Sequence, residues 1–169
     1  MRNYLLPLGI VVSIFILTIF CFSDQDWVDS DIDQRADDHL RKGIEFFNRG
    51  DLNLAIVELE KAIEIEPNYA INYYILGEVY TIKNKLDSAS LYLEKTIGLD
   101  PEMYTAFYLY GLINKKLGHP GDAIKSLKRA VKLNPYYSEA YQLLRQVYIE
   151  VDDYESAERI DSLLYRMRR

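Results

Sequence analysis

The chain repeats itself at an offset of 34 residues. Gly43, Gly77 and Gly111 recur at that spacing, as do Ala55, Ala89, Ala123 and Ala157, and Pro67, Pro101 and Pro135. Leu59, Leu93 and Leu127 form a further column, and Ala62, Thr96 and Ala130 another, with no insertion or deletion between them. A fixed period of this length implies an array of stacked units, each too small to bury its own apolar face alone.

Each unit splits into two helix-length stretches. Tyr73, Leu76, Gly77 and Tyr80 follow i, i+3, i+4, i+7 spacing, and Leu86, Ala89, Leu93 and Ile97 make a second stripe. Between such stripes lie the breaks Asn48-Arg49-Gly50-Asp51, Lys83-Asn84-Lys85 and Leu117-Gly118-His119-Pro120-Gly121. Units are separated by Glu66-Pro67-Asn68, Asp100-Pro101-Glu102 and Asn134-Pro135, where Asp or Asn before Pro reads as an N-cap with proline at the first helical position. Two antiparallel helices on a tight turn approach closely only where side chains are small. The expected crossing is therefore Gly77 against Ala89, with Tyr73 and Tyr80 filling the space on either side.

An aromatic, then Leu-Gly, Tyr, Ala, a large apolar residue, Ala and Pro is the pattern that results. In this the chain resembles the tetratricopeptide repeat family over about four-fifths of its length. The second unit carries Tyr73, Leu76-Gly77, Tyr80, Ala89, Leu93, Thr96 and Pro101. The third carries Phe107, Gly111, Ala123, Leu127, Ala130 and Pro135, with Asn114 where Tyr is usual. The first has His39, Gly43, Phe46, Ala55, Leu59, Ala62 and Pro67, with Lys42 in place of Leu. The resemblance implies an all-α, right-handed superhelical solenoid of antiparallel helix pairs. About four units result, at 36–69, 70–103, 104–137 and 138–169.

The fourth unit keeps Tyr141, Leu144, Tyr148 and Ala157 but has Arg145 in the glycine column and Asp161 in the large apolar column. A terminal unit needs a polar outer face because nothing stacks on it. Arg145 and Asp161 are expected to face each other and pair.

Ahead of the repeats, Leu5 to Phe22 is an uncharged run of 18 residues. As a helix it spans about 27 Å at 1.5 Å per residue, close to the roughly 30 Å of a bilayer core. Residues 1–22 read as a retained transmembrane anchor. A cleaved signal peptide and a lipoprotein signal ending at Cys21 are the alternatives, the first disfavoured by the length of the run and the second by the bulky Phe20. Arg2 precedes the run, whereas Asp24, Asp26, Asp29, Asp31 and Asp33 follow it and the next basic residue is Arg35. The positive-inside rule then leaves the N-terminus in the cytoplasm and the repeats outside it, periplasmic if the chain is bacterial. Residues 23–35 read as an acidic tether, with Trp27 at the lipid interface or against the first helix.

Chemistry is sparse. The formal net charge is −6 and no basic stripe runs along the chain, which argues against nucleic acid as a partner. Its only cationic cluster is Arg166-Met167-Arg168-Arg169. His39 falls in the aromatic packing column and is expected in the core; His119 lies in a Gly-Pro turn and is expected in solvent. No nucleophile, acid–base pair or metal-ligand spacing emerges, so no enzymatic activity, cofactor or metal is expected.

What the resemblance implies instead is a concave groove lined by the first helix of each unit, holding a peptide or an amphipathic helix of a partner protein. The matching positions are Leu40, Ile44 and Phe47, then Tyr74, Ile75 and Glu78. The third unit adds Tyr108, Leu109 and Leu112, and the fourth Gln142, Leu143 and Gln146. These side chains could equally pack against the neighbouring unit. Relatives that clamp the acidic tail of heat-shock chaperones use Lys, Asn and Arg where this chain has Leu40, Ile44, Ile75, Thr105 and Leu109, so that ligand is not expected. Self-association through the groove or the solenoid ends, giving a homo-oligomer, is the second reading.

Overall fold

The computed structural model describes residues 34–167. The apolar run and most of the acidic tether lie outside the described residues. Among the described residues no helix is long and apolar enough to cross a membrane.

Eight helices follow one another among these residues. Helix α1 occupies 34–49 and so already includes 34 and 35, which the sequence assigned to the tether. After it come α2 (Leu52–Ile65), α3 (Ala70–Ile82), α4 (Leu86–Leu99), α5 (Tyr104–Lys116), α6 (Pro120–Leu133), α7 (Ser138–Glu150) and α8 (Tyr154–Met167). From α2 onward each helix packs on the one before and the one after, and α3–α5 and α5–α7 also touch. Helices α3, α5 and α7 therefore form one contacting layer, with the even-numbered helices packed on it and not on one another.

The small-residue column works one turn away from where the sequence placed it. A Cβ on Gly77 would stand 2.9 Å from Leu93 Cγ, on Gly43 2.7 Å from Leu59 Cγ, and on Gly111 2.7 Å from Leu127 Cγ. The glycine thus admits the leucine column first, and at Gly111 the added atom would also stand 3.3 Å from the backbone oxygen of Ala123 in the alanine column, whose member Ala89 is fully buried. Leu59, Leu93 and Leu127 are fully buried as a result, as is Leu76. Tyr80 stacks on Tyr92 of α4 with ring centres 5.2 Å apart, and Tyr73 lies 6.5 Å from the same ring.

Turns within the pairs carry a further column at the same 34-residue spacing. Gly50, Asn84, Gly118 and Asp152 have φ of 83°, 54°, 78° and 60°. Each is the residue in the left-handed region that reverses the chain, a conformation that Gly tolerates freely and Asn or Asp better than other residues.

The proline turns between units differ from expectation. Glu66, Asp100 and Asn134 end the preceding helices, donating their N–H groups to Ala62, Thr96 and Ala130 at 2.8, 2.8 and 2.9 Å. The prolines follow in the turn, and the next helices begin at Ala70, Tyr104 and Ser138. Asp100 Oδ1 and Asn134 Oδ1 accept N–H bonds from Glu102 and Tyr136 at 3.0 and 3.1 Å, so these side chains shape the turn and do not cap a helix. Tyr73 then donates its hydroxyl to Pro67 O at 2.8 Å, fastening the turn to the following helix. Only Pro120 occupies the first turn of its helix, among the prolines described.

Three of the buried polar residues are satisfied along their own helices. Thr96 Oγ1, Asn114 Nδ2 and Ser126 Oγ donate to the carbonyls of Tyr92, Tyr110 and Asp122 at 2.9, 2.9 and 2.8 Å. That bond is how Asn114 occupies a position where a tyrosine is usual. The amide of Asn72 is buried without a partner.

Candidate functional site

Helices α1, α3, α5 and α7 carry the residues that the sequence pointed to. Their placement falls into two classes. Ile75, Leu109 and Leu143 are buried, each at the same position of its unit. Ile75 lies in the cluster with Ala55, Leu59 and Leu76, Leu109 with Ala89, Leu93 and Ile113, and Leu143 with Leu127, Leu144 and Val147. These three pack in the seam between units. Leu40, Ile44, Phe47, Tyr74, Glu78, Tyr108 and Leu112 are half-buried, and Gln142 and Gln146 are exposed.

The half-buried residues of the middle units form a tyrosine-rich floor. Tyr137, in the turn before α7, meets Tyr104 and Tyr108 of α5 edge-on, with ring centres 5.0 and 5.1 Å away. Tyr74 of α3 donates its hydroxyl to Glu78 Oε1 at 3.0 Å, one turn along the same helix, and Thr105 approaches that hydroxyl from α5. Stacking at a 34-residue period brings these rings together: Tyr74 and Tyr108 share one position of adjacent units. The turn tyrosine Tyr137 was not expected from the sequence. Its signal was its place immediately before α7, where Tyr69 and Met103 precede α3 and α5.

This floor is poorly hydrated and acidic. Burial, then the Glu78 carboxylate, raises the Tyr74 hydroxyl well above the ordinary range. Tyr137 is pushed up to about 12 by burial first, then by Tyr108, Glu139, Tyr104 and Glu78. Tyr108 is raised by burial and by Glu139. Burial also raises the Glu78 carboxyl, and the Tyr74 hydrogen bond offsets only part of that. A carboxylate with no countercharge loses more hydration than one hydrogen bond restores.

The histidines divide. His119 is exposed at the start of α6, as expected. His39 is half-buried and not a core filler: its Nδ1 lies 2.8 Å from Glu58 Oε2, a polar contact across to α2. A ring nitrogen with a carboxylate in reach takes that partner in preference to apolar packing. Among the described residues no group of three or more His, Cys, Asp or Glu is placed to hold a metal ion. A cleft of about 530 Å³ on the other layer, between α4, α5 and α6, is lined by Glu94, Phe107, Tyr110, Asp122, Lys125 and Arg129. Tyr110 donates to Glu94 across it at 2.6 Å, and Arg129 pairs at 2.8 Å with Glu102, which lies outside the lining.

Stacked helix pairs, with one layer presenting a shallow aromatic face, define a helical-repeat solenoid. The chain belongs to the tetratricopeptide repeat family: a TPR repeat model matches residues 43–82, and a tetratricopeptide repeat model matches 70–103 and 104–137. Among solved structures it is similar to MamA, at 22% identity and a TM-score of 0.77, covering 85% of this chain and 84% of that one. It is also similar to YrrB, a TPR protein with an unusual peptide-binding site, at 25% identity and a TM-score of 0.71, covering 76% and 66%. The first TPR domain of Spaghetti (RPAP3), bound to the HSP90 peptide SRMEEVD, gives 22% identity and a TM-score of 0.69 over 70% and 94%. No match is found among curated protein sequences.

Proposed function

We propose that this chain is a non-catalytic, membrane-tethered adaptor whose odd-numbered helices hold a peptide or amphipathic helix of a partner protein. The observation that carries this reading is the aromatic floor of Tyr74, Tyr104, Tyr108 and Tyr137, half-buried by the chain itself yet covered by none of its described elements. Rigid aromatic side chains offer large contact area at little entropic cost, which is why they dominate recognition surfaces. Solved relatives of this fold that hold peptides support the same reading. Leu40, Ile44, Phe47, Leu112, Gln142 and Gln146 extend the face along the array.

Residues 1–22 supply the anchor and 23–33 the spacer, with the N-terminus cytoplasmic and the repeats extracytoplasmic. Protease accessibility of the repeats in sealed vesicles tests that orientation: digestion only after the membrane is breached on the cytoplasmic side would reverse it. The groove reading is tested by capturing partners from membranes with the full chain and with Tyr108→Asp. A partner retained by the first and lost by the second is expected. Identical partners from both would contradict it.

Self-association is the second reading, favoured by exposed Tyr154 and Leu163 on the terminal helix α8. It requires a mass that rises with protein concentration in light scattering.

A further inference from the structure

We infer that the segment held in this groove is basic, and that a lysine or arginine of the partner seats against Glu78 between the rings of Tyr74 and Tyr137. The inference rests on the groove reading above and adds the chemistry of the occupant.

Three features lead to it. Glu78 sits on the floor, half-buried, and accepts one hydrogen bond, from Tyr74. Among the described residues no Lys or Arg pairs with it, whereas Glu150 at the end of α7 has Lys115 at 2.9 Å. Glu139, at the start of α7, adds a second carboxylate beside Tyr108 and Tyr137, and its contact is the Ser138 hydroxyl at 3.1 Å. Two carboxylates with no cationic partner among the described residues, set within a tyrosine surface, make a site of negative potential. A cation entering there gains a charge-assisted bond to the carboxylate and quadrupole attraction from the rings.

Charge also excludes candidate occupants. An acidic segment such as the chain's own spacer, with Asp24, Asp26, Asp29, Asp31 and Asp33, would bring like charge to Glu78. A wholly apolar helix would bury the carboxylate further with nothing to compensate it. The occupant that satisfies every group on the page is an amphipathic segment with a basic residue inside its apolar face.

The test pans a random 12-residue phage-displayed peptide library on the full chain in detergent, then measures selected peptides by fluorescence anisotropy. Wild type is compared with Glu78→Gln, Tyr108→Ala and Gln142→Ala, each checked by circular dichroism, with Gln142→Ala serving as groove variant if Tyr108→Ala melts early. Expected are peptides enriched in Lys or Arg beside apolar residues, binding at least tenfold more weakly to Glu78→Gln and to the groove variant. Peptides that depend on the groove variant but show no basic enrichment and no response to Glu78→Gln would overturn the inference and leave the groove reading standing. Peptides indifferent to every groove variant would overturn both. A dimer of the wild-type chain that Glu78→Gln abolishes would make a basic residue of a second copy the occupant and overturn the foreign partner.

Discussion

Arg145 Nε on α7 stands 2.6 Å from Asp161 Oδ1 on α8, as an ion pair without the alignment of a hydrogen bond. The two residues occupy the positions that hold Gly77 and Leu93 in the second unit and Gly111 and Leu127 in the third. A contact made elsewhere by a missing side chain and a buried leucine is made in the last unit by two charges. Nothing follows α8 among the described residues, so the last pair can be held by a polar contact that inner pairs could not hydrate.

Both partners of that pair are around half exposed, which limits its worth. A double-mutant cycle with Arg145→Ala and Asp161→Ala should give a coupling of about 0.2–1 kcal/mol, smaller in high salt. Urea unfolding measures it, and a coupling unaffected by salt would show that packing and not charge joins the two helices.

Glycines in the same chain should respond in opposite directions. Gly77→Ala drives a methyl into Leu93, which is fully buried and has nowhere to retreat, and should cost about 1–3 kcal/mol despite the better helix former. Gly98→Ala, in α4 with nothing within 4 Å of the added atom, should stabilise by about 0.5–1 kcal/mol. Thermal melts of the two variants decide this, and a shift of the same sign in both would contradict the packing role.

The turn positions predict a second contrast. Asn84→Gly relieves a left-handed residue and should leave stability equal or higher by up to about 1 kcal/mol, whereas Gly118→Val forces a branched side chain into φ 78° and should cost about 1–2 kcal/mol. Denaturant midpoints of the two variants provide the check.

Glu78 should make stability fall with pH. Burial raises its carboxyl in the folded chain, so the folded state holds the proton more tightly than the unfolded one. The ionised form therefore costs stability, a cost absent below the unfolded value near 4.5 and fully present above the folded one. Glu78→Gln should raise the melting midpoint at pH 7 and lose that advantage at pH 4. An equal gain at both would place the effect outside ionisation.

Much of this was legible in the sequence because helical repeats write their packing as columns. The period, the two-helix unit and the Arg145–Asp161 pairing followed from which residues recur and which are replaced. What periodicity cannot supply is depth. Ile75, Leu109 and Leu143 sit about 100° round the helix from the core stripe, an angle that a groove and an inter-unit seam share. Only the neighbouring unit's position sends them into the seam. The proline turns misled for a related reason: Asp-Pro and Asn-Pro satisfy the composition of a helix start, but here the polar side chain turns to the backbone two residues ahead and the helix begins later. The left-handed column Gly50, Asn84, Gly118 and Asp152 was visible at the same period. It was obscured because two of its members are not glycine.

The most direct test of the groove is photo-cross-linking in intact membranes. A photoreactive residue replaces Tyr108 in the full chain, a control replaces Lys125 on the opposite layer, and mass spectrometry identifies the adducts. A foreign protein attached at 108 and not at 125, through a stretch containing lysine or arginine, is the predicted result. Self-adducts alone at 108, or the same adducts from both positions, would contradict it and leave the tyrosine floor as a contact between copies or an unused surface.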